Sequence, residues 1–350
     1  MAIEDIAVYE ALFKEGLRRT VSEEDPAELH RWLSAQVNRI GGGKDEESLL
    51  VWAESFVYYE NLEEKRAANT ATPEAERRML DWPWTSWNKV IDPLEPGMLT
   101  VVTAGDGQGK TTYAECIAEH WAKQRNKVIF VHYELNWSLM LDRRACRHTH
   151  IPRRDLQRGT LTPEQWQLLR EMRERLLFWE GNIAYLHSPG WSMEQTILSL
   201  HKMAYEQKCD AVVIDYLEKA AASRRQLQMF GANTFQREAD NVEQLKSFAE
   251  VSGIPILMLA QMSKSGKQTK ATEIDRMDMR GAGEKSEKAN LVVLLAREQT
   301  KNGYSNEVDV IVDKNTMGPT AKFKQVMIPE YFDVRDNAEK IEEPRSRWKD

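Results

Sequence analysis

One stretch, residues 103–112, combines three glycines with a lysine in the order T-A-G-D-G-Q-G-K-T-T. Glycines let successive backbone N–H groups converge on phosphate oxygens, because no Cβ stands in the way. Apart from Ala104 in place of the usual first glycine, the stretch fits a phosphate-binding loop. Its alternative is a glycine-rich turn that happens to contain G-K-T.

A phosphate-binding loop predicts ATP and Mg²⁺ as cofactors, with Lys110 on the β- and γ-phosphates and Thr111 on the metal ion. An apolar run precedes the stretch and a helical pattern follows it, which is the context that such a loop requires. The predicted nucleotide-binding residues are Ala104, Gly105, Asp106, Gly107, Gln108, Gly109, Lys110, Thr111 and Thr112.

Three polar residues end other apolar runs. Asp215 closes C-D-A-V-V-I-D, where a buried carboxylate is costly without a partner, so we predict that it is a metal ligand. Tyr216 follows it in place of a glutamate, so the base that activates water must come from elsewhere, and Glu134 is our candidate. Gln261 is a candidate sensor of the γ-phosphate. The alternative for Glu134 and Gln261 is an ordinary loop residue.

The elements that must position these residues follow from the hydrophobic pattern. Residues 76–336 alternate β-branched runs with helical periods, which predicts an α/β domain with a twisted, mostly parallel sheet flanked by helices. Residues 1–75 carry only helical periods and no Cys/His cluster, so a zinc-bearing primase module is excluded there. We expect a helical oligomerisation or partner-docking region with its linker at 1–75, and a solvated tail at 337–350.

Bulk composition limits the function classes. The 350 residues have a formal net charge of −7, which argues against a protein that coats nucleic acid along its whole surface. The three cysteines are far apart in no metal-like spacing, and no run of eighteen apolar residues or signal peptide occurs. We therefore expect a cytoplasmic protein with reduced thiols and no membrane span.

The order of these motifs resembles the ATPase domain of DnaB-type replicative helicases from about Trp82 to Asp336. The matching stretches are Y-E-L-N, I-D-Y-L-E-K-A, L-A-Q-M-S-K-S, D-M-R-G-A-G-E-K-S-E-K-A-N-L-V-V-L-L-A-R-E and the connector R-R-D-L-Q-R-G-T-L-T-P-E-Q-W. The resemblance implies a RecA-like P-loop NTPase fold and an ATP-dependent, ring-forming helicase that moves along single-stranded DNA and unwinds duplex during replication. We expect a hexamer, and a loader or primase as partner of the N-terminal region. A phage, plasmid or mobile element is our hypothesis for its source.

Two long polar segments are candidates for contacts to DNA in the central channel. The first spans 219–238 and carries Arg224 and Arg225; the second spans 263–288 and carries Lys264 and Lys267. Flexible cationic side chains and glycine-flanked amides can track phosphates without reading bases. The resemblance places phosphate contacts on Arg280 and Gly283. Solvated loops are the alternative for both segments.

The sequence departs from the family at one position. Helicases of this type complete each ATP site with cations from the neighbouring subunit, on a hairpin resembling Lys-x-Arg. In V-D-K-N-T-M-G-P-T-A-K-F, Lys314 aligns with the lysine, but Thr316 stands where the arginine finger is expected. Our hypothesis is that Lys314 is the remaining catalytic cation. The alternatives are substitution by Lys322 or Lys324, or intrinsically slow hydrolysis.

Two other functions fit parts of this pattern. A RecA-like recombinase shares the ATP site, although the long connector argues against it. A helicase-like regulator that binds ATP without unwinding fits the missing arginine.

Overall fold

The computed structural model describes residues 80–134, 137–262, 287–300 and 303–336. The helices predicted within 1–75 and the tail predicted at 337–350 lie outside these ranges. So do Lys264, Lys267, Arg280 and Gly283 of the second polar segment.

Helices cover both faces of a central sheet. In chain order they are α1 (Thr85–Asn88), α2 (Lys110–Lys123), α3 (Trp137–Thr149), α4 (Arg153–Arg158), α5 (Pro163–Leu176), α6 (Met193–Gln207), α7 (Arg224–Phe230) and α8 (Thr234–Ser252). Several start at side-chain caps. Thr162, Ser192 and Ser223 each accept a hydrogen bond from the backbone N–H three residues later, where a glutamine side chain returns the bond. None of these described helices has the length and apolar character needed to cross a membrane.

The main sheet has nine strands in the order β11-β10-β9-β6-β1-β5-β4-β2-β3. Their bounds are β1 (Leu99–Ala104), β2 (Val128–His132), β3 (Ile183–His187), β4 (Ala211–Asp215), β5 (Ile256–Gln261), β6 (Leu291–Ala296), β9 (Glu307–Asn315), β10 (Ala321–Ile328) and β11 (Asp333–Asp336). A separate short hairpin joins β7 (Gln299–Thr300) to β8 (Gly303–Tyr304). The twisted, mostly parallel sheet flanked by helices that the sequence predicts is thereby confirmed.

The six strands β6, β1, β5, β4, β2 and β3 run parallel, and most are apolar on both faces. Every residue of β1, β2, β4 and β6 is buried, because helices cover both sides of the sheet. In contrast, β9 and β10 run antiparallel at one side, and β9 alternates buried with less buried residues. The parallel registers pair Ala104 with Gln261 and His132 with Asp215, so the carboxyl ends of these strands lie at one edge.

The first polar segment is not the loop that we predicted. Most of 219–238 forms α7 and the start of α8, because Ser223 caps α7 and Gln226 in the first turn of α7 is fully buried. The Gln226 side-chain amide donates to Asn241 Oδ1 at 2.7 Å. Arg224 and Arg225 therefore lie on a helix and not on a loop.

A tryptophan cluster closes the side of the sheet next to α2. Trp82, Trp84 and Trp87 are buried, and the rings of Trp84 and Tyr113 have centroids 5.0 Å apart. Gln325 on β10 lies fully buried among them. Its Oε1 accepts from Trp87 Nε1 at 2.9 Å and from the Tyr113 hydroxyl at 3.0 Å. One amide thus satisfies two buried donors that have no access to water.

We expect Gln325→Leu to lower the free energy of unfolding by roughly 2–5 kcal/mol, because it leaves two buried donors unsatisfied. Denaturant unfolding followed by tryptophan fluorescence measures this. Lys322→Gln on the same strand is the control, since Lys322 is exposed and its 3.8 Å pair with Asp309 contributes at most about 1 kcal/mol. Equal losses in both variants would contradict the role given to Gln325.

Candidate nucleotide-binding site

The predicted phosphate-binding loop connects the end of β1 to the start of α2. Gly107 and Gly109 have φ angles of +70° and +101°, which L side chains rarely adopt. A side chain at 109 would also meet a neighbour, since a Cβ there would lie 2.0 Å from Met327 Cε. The backbone conformation therefore favours glycine at 109, and any larger residue must also displace the end of Met327.

The Lys110 ammonium lies over this loop. Its Nζ donates to the carbonyl oxygens of Ala104 at 2.9 Å and Gly105 at 3.2 Å. The buried Gln108 side chain accepts from the Gly105 amide at 3.3 Å. The remaining predicted loop residues differ in exposure: Asp106 and Gly107 are exposed, Thr111 is half-buried and Thr112 is buried.

Asp215 lies beside the start of α2, as the metal-ligand prediction requires. Burial raises the pKa of its carboxyl to about 6, although a hydrogen bond from the Thr111 side chain acts in the opposite direction. A buried carboxylate next to a hydroxyl provides the oxygen ligands that Mg²⁺ prefers. Within the described ranges, no group of three or more His, Cys, Asp or Glu residues could hold a metal ion. The residues present therefore fit an ion that takes its other ligands from phosphates and water.

Glu134 lies just beyond β2, at the same edge of the sheet. The backbone N–H of Tyr133 donates to the carbonyl oxygen of Asp215 at 3.1 Å, which holds the chain before Glu134 against β4. The half-exposed Glu134 carboxylate lies 3.6 Å from Lys219 Nζ and forms a hydrogen bond with the Tyr216 side chain. Burial and this carboxylate raise the pKa of the Tyr216 hydroxyl.

Tyr216 also lies near the loop. Its ring centroid is 6.0 Å from Lys110 Nζ, so the tyrosine is close to both the predicted base and the predicted phosphate-binding lysine. Sequence analysis assigned no role to Tyr216 beyond the absence of a glutamate. The structure makes it the physical link between Glu134 and Lys110.

Gln261 ends β5 next to the loop. Its side-chain amide donates to the Asp106 carboxylate, and its backbone N–H donates to Glu218 Oε1 at 3.0 Å. The predicted sensor therefore contacts the phosphate-binding loop directly.

Sequence reasoning missed Arg297 and Tyr304. Arg297 is buried, and its guanidinium donates to the carbonyl oxygens of Ser305 at 2.7 Å and Gly107 at 3.5 Å. It lies 5.6 Å from the Tyr304 ring centroid. Its one signal in the sequence is its position directly after a buried strand, where β6 ends at the same edge as β1.

A buried ionic cluster behind the loop was also missed. It joins Glu115 and Glu119 of α2 to Arg143, Arg144, Arg147 and His148 of α3. Burial opposes ionisation of Glu119, but the neighbouring Arg147, His148 and Arg144 outweigh it and hold the pKa of that carboxyl well below its usual range. Two histidines also bond charged side chains: His148 bonds Glu119 at 2.9 Å, and His150 bonds Arg335 at 2.9 Å.

The remaining predicted cations lie in different settings. Lys314 lies one residue before the end of β9 and donates to the carbonyl oxygen of Glu287 at 2.9 Å, while Thr316 is exposed directly after the strand. Lys322 and Lys324 are exposed on β10 and pair with Asp309 and Glu307. Action of any of these lysines on a neighbouring subunit's site stays a hypothesis.

The two arginines of α7 differ. Arg225 forms ion pairs with Asp240 and, at 3.3 Å, with Glu194. Arg224 is exposed, and no ion pair joins it to any of the residues that the structure describes. Arg224 is therefore the one of these two arginines whose charge forms no salt bridge with the described residues.

Comparison with known proteins identifies this arrangement. The sequence profile of the DnaB-like helicase C terminal domain matches residues 83–336, most of the chain and the whole site. The chain belongs to the DnaB-like helicase C-terminal domain family. The resemblance predicted from the motifs is thereby confirmed.

Relatives in this family are replicative helicases. The chain is 25% identical over 252 residues to the replicative DNA helicase DnaB of Geobacillus stearothermophilus, covering 71% of this chain and 54% of the relative. It is 24% identical over 227 residues to a probable plasmid replicative DNA helicase of Chlamydia trachomatis, covering 64% and 48%. The chain spans about half the length of the curated relatives it matches.

Solved structures share the fold. A solved structure described as an ATPase domain superposes with a TM-score of 0.68 at 18% identity, covering 82% of this chain and 98% of that chain. A DnaB-like replicative helicase described with its interactions with primase gives a TM-score of 0.69 at 17% identity, covering 95% and 75%. The predicted RecA-like α/β fold is confirmed.

We expect Gly109→Ala to weaken binding of a fluorescent ADP analogue at least about tenfold, because the new Cβ meets Met327 and the backbone conformation is unfavourable. Gly159→Ala is the matched control. Gly159 has a φ angle of +65°, but a Cβ there meets nothing within 4 Å, so we expect affinity to change by no more than about twofold. Undiminished affinity in Gly109→Ala would mean that nucleotide does not bind at this loop.

Proposed function

We propose that this protein is an ATP-dependent, ring-forming DNA helicase that moves along single-stranded DNA and unwinds duplex during replication. The observation that carries the proposal is the meeting of Lys110, Asp215 and Glu134 at one sheet edge, with Tyr216 near the lysine and bonded to the glutamate. Membership of the family supports the reaction.

Each residue has a separate task in hydrolysis. Lys110 exchanges the carbonyl oxygens of Ala104 and Gly105 for β- and γ-phosphate oxygens, and Thr111 with Asp215 holds Mg²⁺. The bound Mg²⁺ supplies charge that neutralises the phosphate oxygens. Glu134 accepts a proton from water, the water oxygen bonds the γ-phosphorus, and the bond from that phosphorus to the bridging oxygen of ADP breaks.

Glu134 must leave its present partners, Lys219 and Tyr216, before it can accept this proton. Its carboxylate pairs with Lys219 and Tyr216, both of which follow Asp215 along the chain. Since the pair with Lys219 is half-exposed, little free energy opposes its exchange. Gln261, which contacts Asp106 beside the loop, is the proposed sensor of the γ-phosphate.

Arg297 and Tyr304 border the outer side of the loop at Gly107. A planar guanidinium beside an aromatic ring offers stacking surfaces to a flat ligand. We assign the nucleobase of ATP to this side of the site.

The proposed partners are single-stranded DNA, further copies of this chain in a hexamer, and a loader or primase bound through 1–75. A primase partner is supported by the DnaB-like structure described with its interactions with primase. DNA contacts are proposed on Arg224 and, outside the described residues, on Lys264, Lys267, Arg280 and Gly283. A regulator that binds ATP without unwinding remains the second candidate, because Thr316 stands at the finger position.

We expect Glu134→Gln to bind ADP normally while ATP hydrolysis and unwinding of a forked duplex fall by about 10²–10⁴-fold, because the amide cannot accept the proton. Lys110→Ala, which removes the cation at the phosphates, is the inactive reference. Hydrolysis without unwinding by the parent protein would favour the regulator. Full activity of Glu134→Gln would move the base to another carboxylate.

Arg224→Ala should weaken binding of single-stranded DNA equally across sequences and reduce the slope of log affinity against log salt by about 1. Arg225→Ala is the matched comparison, since its loss breaks the pairs with Glu194 and Asp240 and should lower thermal stability while leaving the slope unchanged. Fluorescence anisotropy at several salt concentrations measures both. A larger change of slope in Arg225→Ala would contradict the assignment.

Lys314→Ala should remove DNA-stimulated hydrolysis and spare nucleotide binding, if Lys314 acts on a neighbouring subunit's phosphates. Mixing Lys314→Ala with Lys110→Ala subunits should recover activity, because some interfaces then combine an intact loop with an intact lysine. Thr316→Ala is the control with little expected effect. No recovery, together with full activity of Lys314→Ala alone, would contradict action in trans.

A further inference from the structure

Two helices that flank the predicted catalytic residues are joined by matched ion pairs. On α2, Glu115 and Glu119 are four residues apart; on α3, Arg143 and Arg147 are four residues apart. Residues at this spacing share one helix face, so the two carboxylates meet the two guanidinium groups in register. Arg147 bonds both carboxylates, at 3.1 Å to Glu115 and 2.8 Å to Glu119.

Arg143 is the member of this cluster that contacts the phosphate-binding segment. Its Nε lies 3.2 Å from Glu115 Oε1, and its Nη2 donates to Thr112 Oγ1 at 2.9 Å. The guanidinium carbon lies 4.8 Å from the Phe332 ring centroid, and the side chain is only 11% exposed. Charge, hydrogen bond and packing thus hold it in one orientation.

Thr112 connects this contact to the site through the residue that precedes it in the chain. Thr112 follows Thr111, whose side chain bonds Asp215. Arg143 therefore reaches the turn of α2 that supplies the predicted metal ligand. By contrast, Arg144 pairs with Glu119 and Glu180, each at 3.2 Å, and neither of these residues belongs to the loop.

Helix α3, which carries Arg143, also follows Glu134 closely along the chain. It begins at Trp137, three residues after Glu134, and Arg143 lies about 9 Å further along its axis. A shift of α3 relative to α2 consequently moves the chain that carries Glu134 relative to Lys110 and Thr111.

We infer that Arg143 is a positioning residue for ATP hydrolysis, which fixes Glu134 relative to Lys110 and Thr111 by joining α3 to the first turn of α2. The inference rests on the proposed function, since it needs Glu134 to act on a phosphate bound at this loop. This role requires an arginine at position 143, and not merely a positive charge. A lysine keeps the charge but has no rigid fork that can pair with the Glu115 carboxylate and donate a hydrogen bond to the Thr112 hydroxyl at once.

The test compares Arg143→Lys with Arg144→Lys. Both variants keep a positive charge in the same buried cluster, and both lose a guanidinium fork. We expect both to lower the thermal midpoint of unfolding. Only Arg143→Lys should lower kcat for ATP hydrolysis, by at least about fivefold, while the Kd for ADP stays within about threefold of the parent value.

Two further variants extend the comparison. Arg143→Ala should lower kcat more than Arg143→Lys does, so that the conservative variant restores part of the activity. Arg153→Ala is the external control, because Arg153 pairs with Asp142 of α3 at 3.2 Å outside the cluster, and its kcat should equal that of the parent.

Several outcomes would overturn the inference. Equal losses of kcat in Arg143→Lys and Arg144→Lys would show a purely structural cluster. A folded Arg143→Lys with parental kcat would show no role, and a parallel loss of kcat and ADP affinity would show a binding role. If the parent protein binds ADP but does not hydrolyse ATP, the proposed function fails and the inference fails with it. If the parent hydrolyses ATP and only the Arg143 comparison fails, the proposed function stands.

Discussion

The register of the parallel strands is the constraint on which the site depends. Pairing Ala104 with Gln261 and His132 with Asp215 aligns the carboxyl ends of four strands within one edge. A slip of one residue in any pair would turn its side chains to the opposite face of the sheet. Because these strands are buried on both faces, packing from both sides fixes the register. The phosphate-binding loop, the predicted metal ligand and the predicted base thereby meet.

A second constraint acts at the helix that follows the loop. Glu115, Glu119 and three arginines of α3 are removed from water together, and each carboxylate is matched by more than one guanidinium donor. Removing charged groups from water is costly, and close pairing with opposite charges offsets part of that cost. The cluster therefore tolerates few relative positions of α2 and α3. In the proposed mechanism, these contacts position Glu134, the predicted base, because its chain leads into α3.

The sequence was sufficient for the elements and for residues that follow strands. Continuous apolar runs predict buried parallel strands, and Lys110, Glu134, Asp215 and Gln261 each lie at the end of such a run or directly after the loop. The sequence was insufficient to predict contacts between residues that are far apart in the chain. Arg297 reaches Gly107 across 190 positions, and neither residue signals the other.

One error and one missed contact have different causes. The segment 219–238 carries a helix signal, because Ser223 and Gln226 have the spacing of a capping box, but its polar composition was interpreted as a loop. The contact of His148 has no local signal, because no acid stands near this histidine in the sequence. Its partner Glu119 lies on another helix, 29 positions away.

The central claim, a ring-forming motor built on this site, is tested most directly by particle images of the full chain. Samples contain single-stranded DNA with or without a non-hydrolysable ATP analogue. The account predicts closed rings of six subunits with DNA in the channel when the analogue is present. Open filaments would favour a recombinase, and monomers under both conditions would contradict a ring-forming helicase.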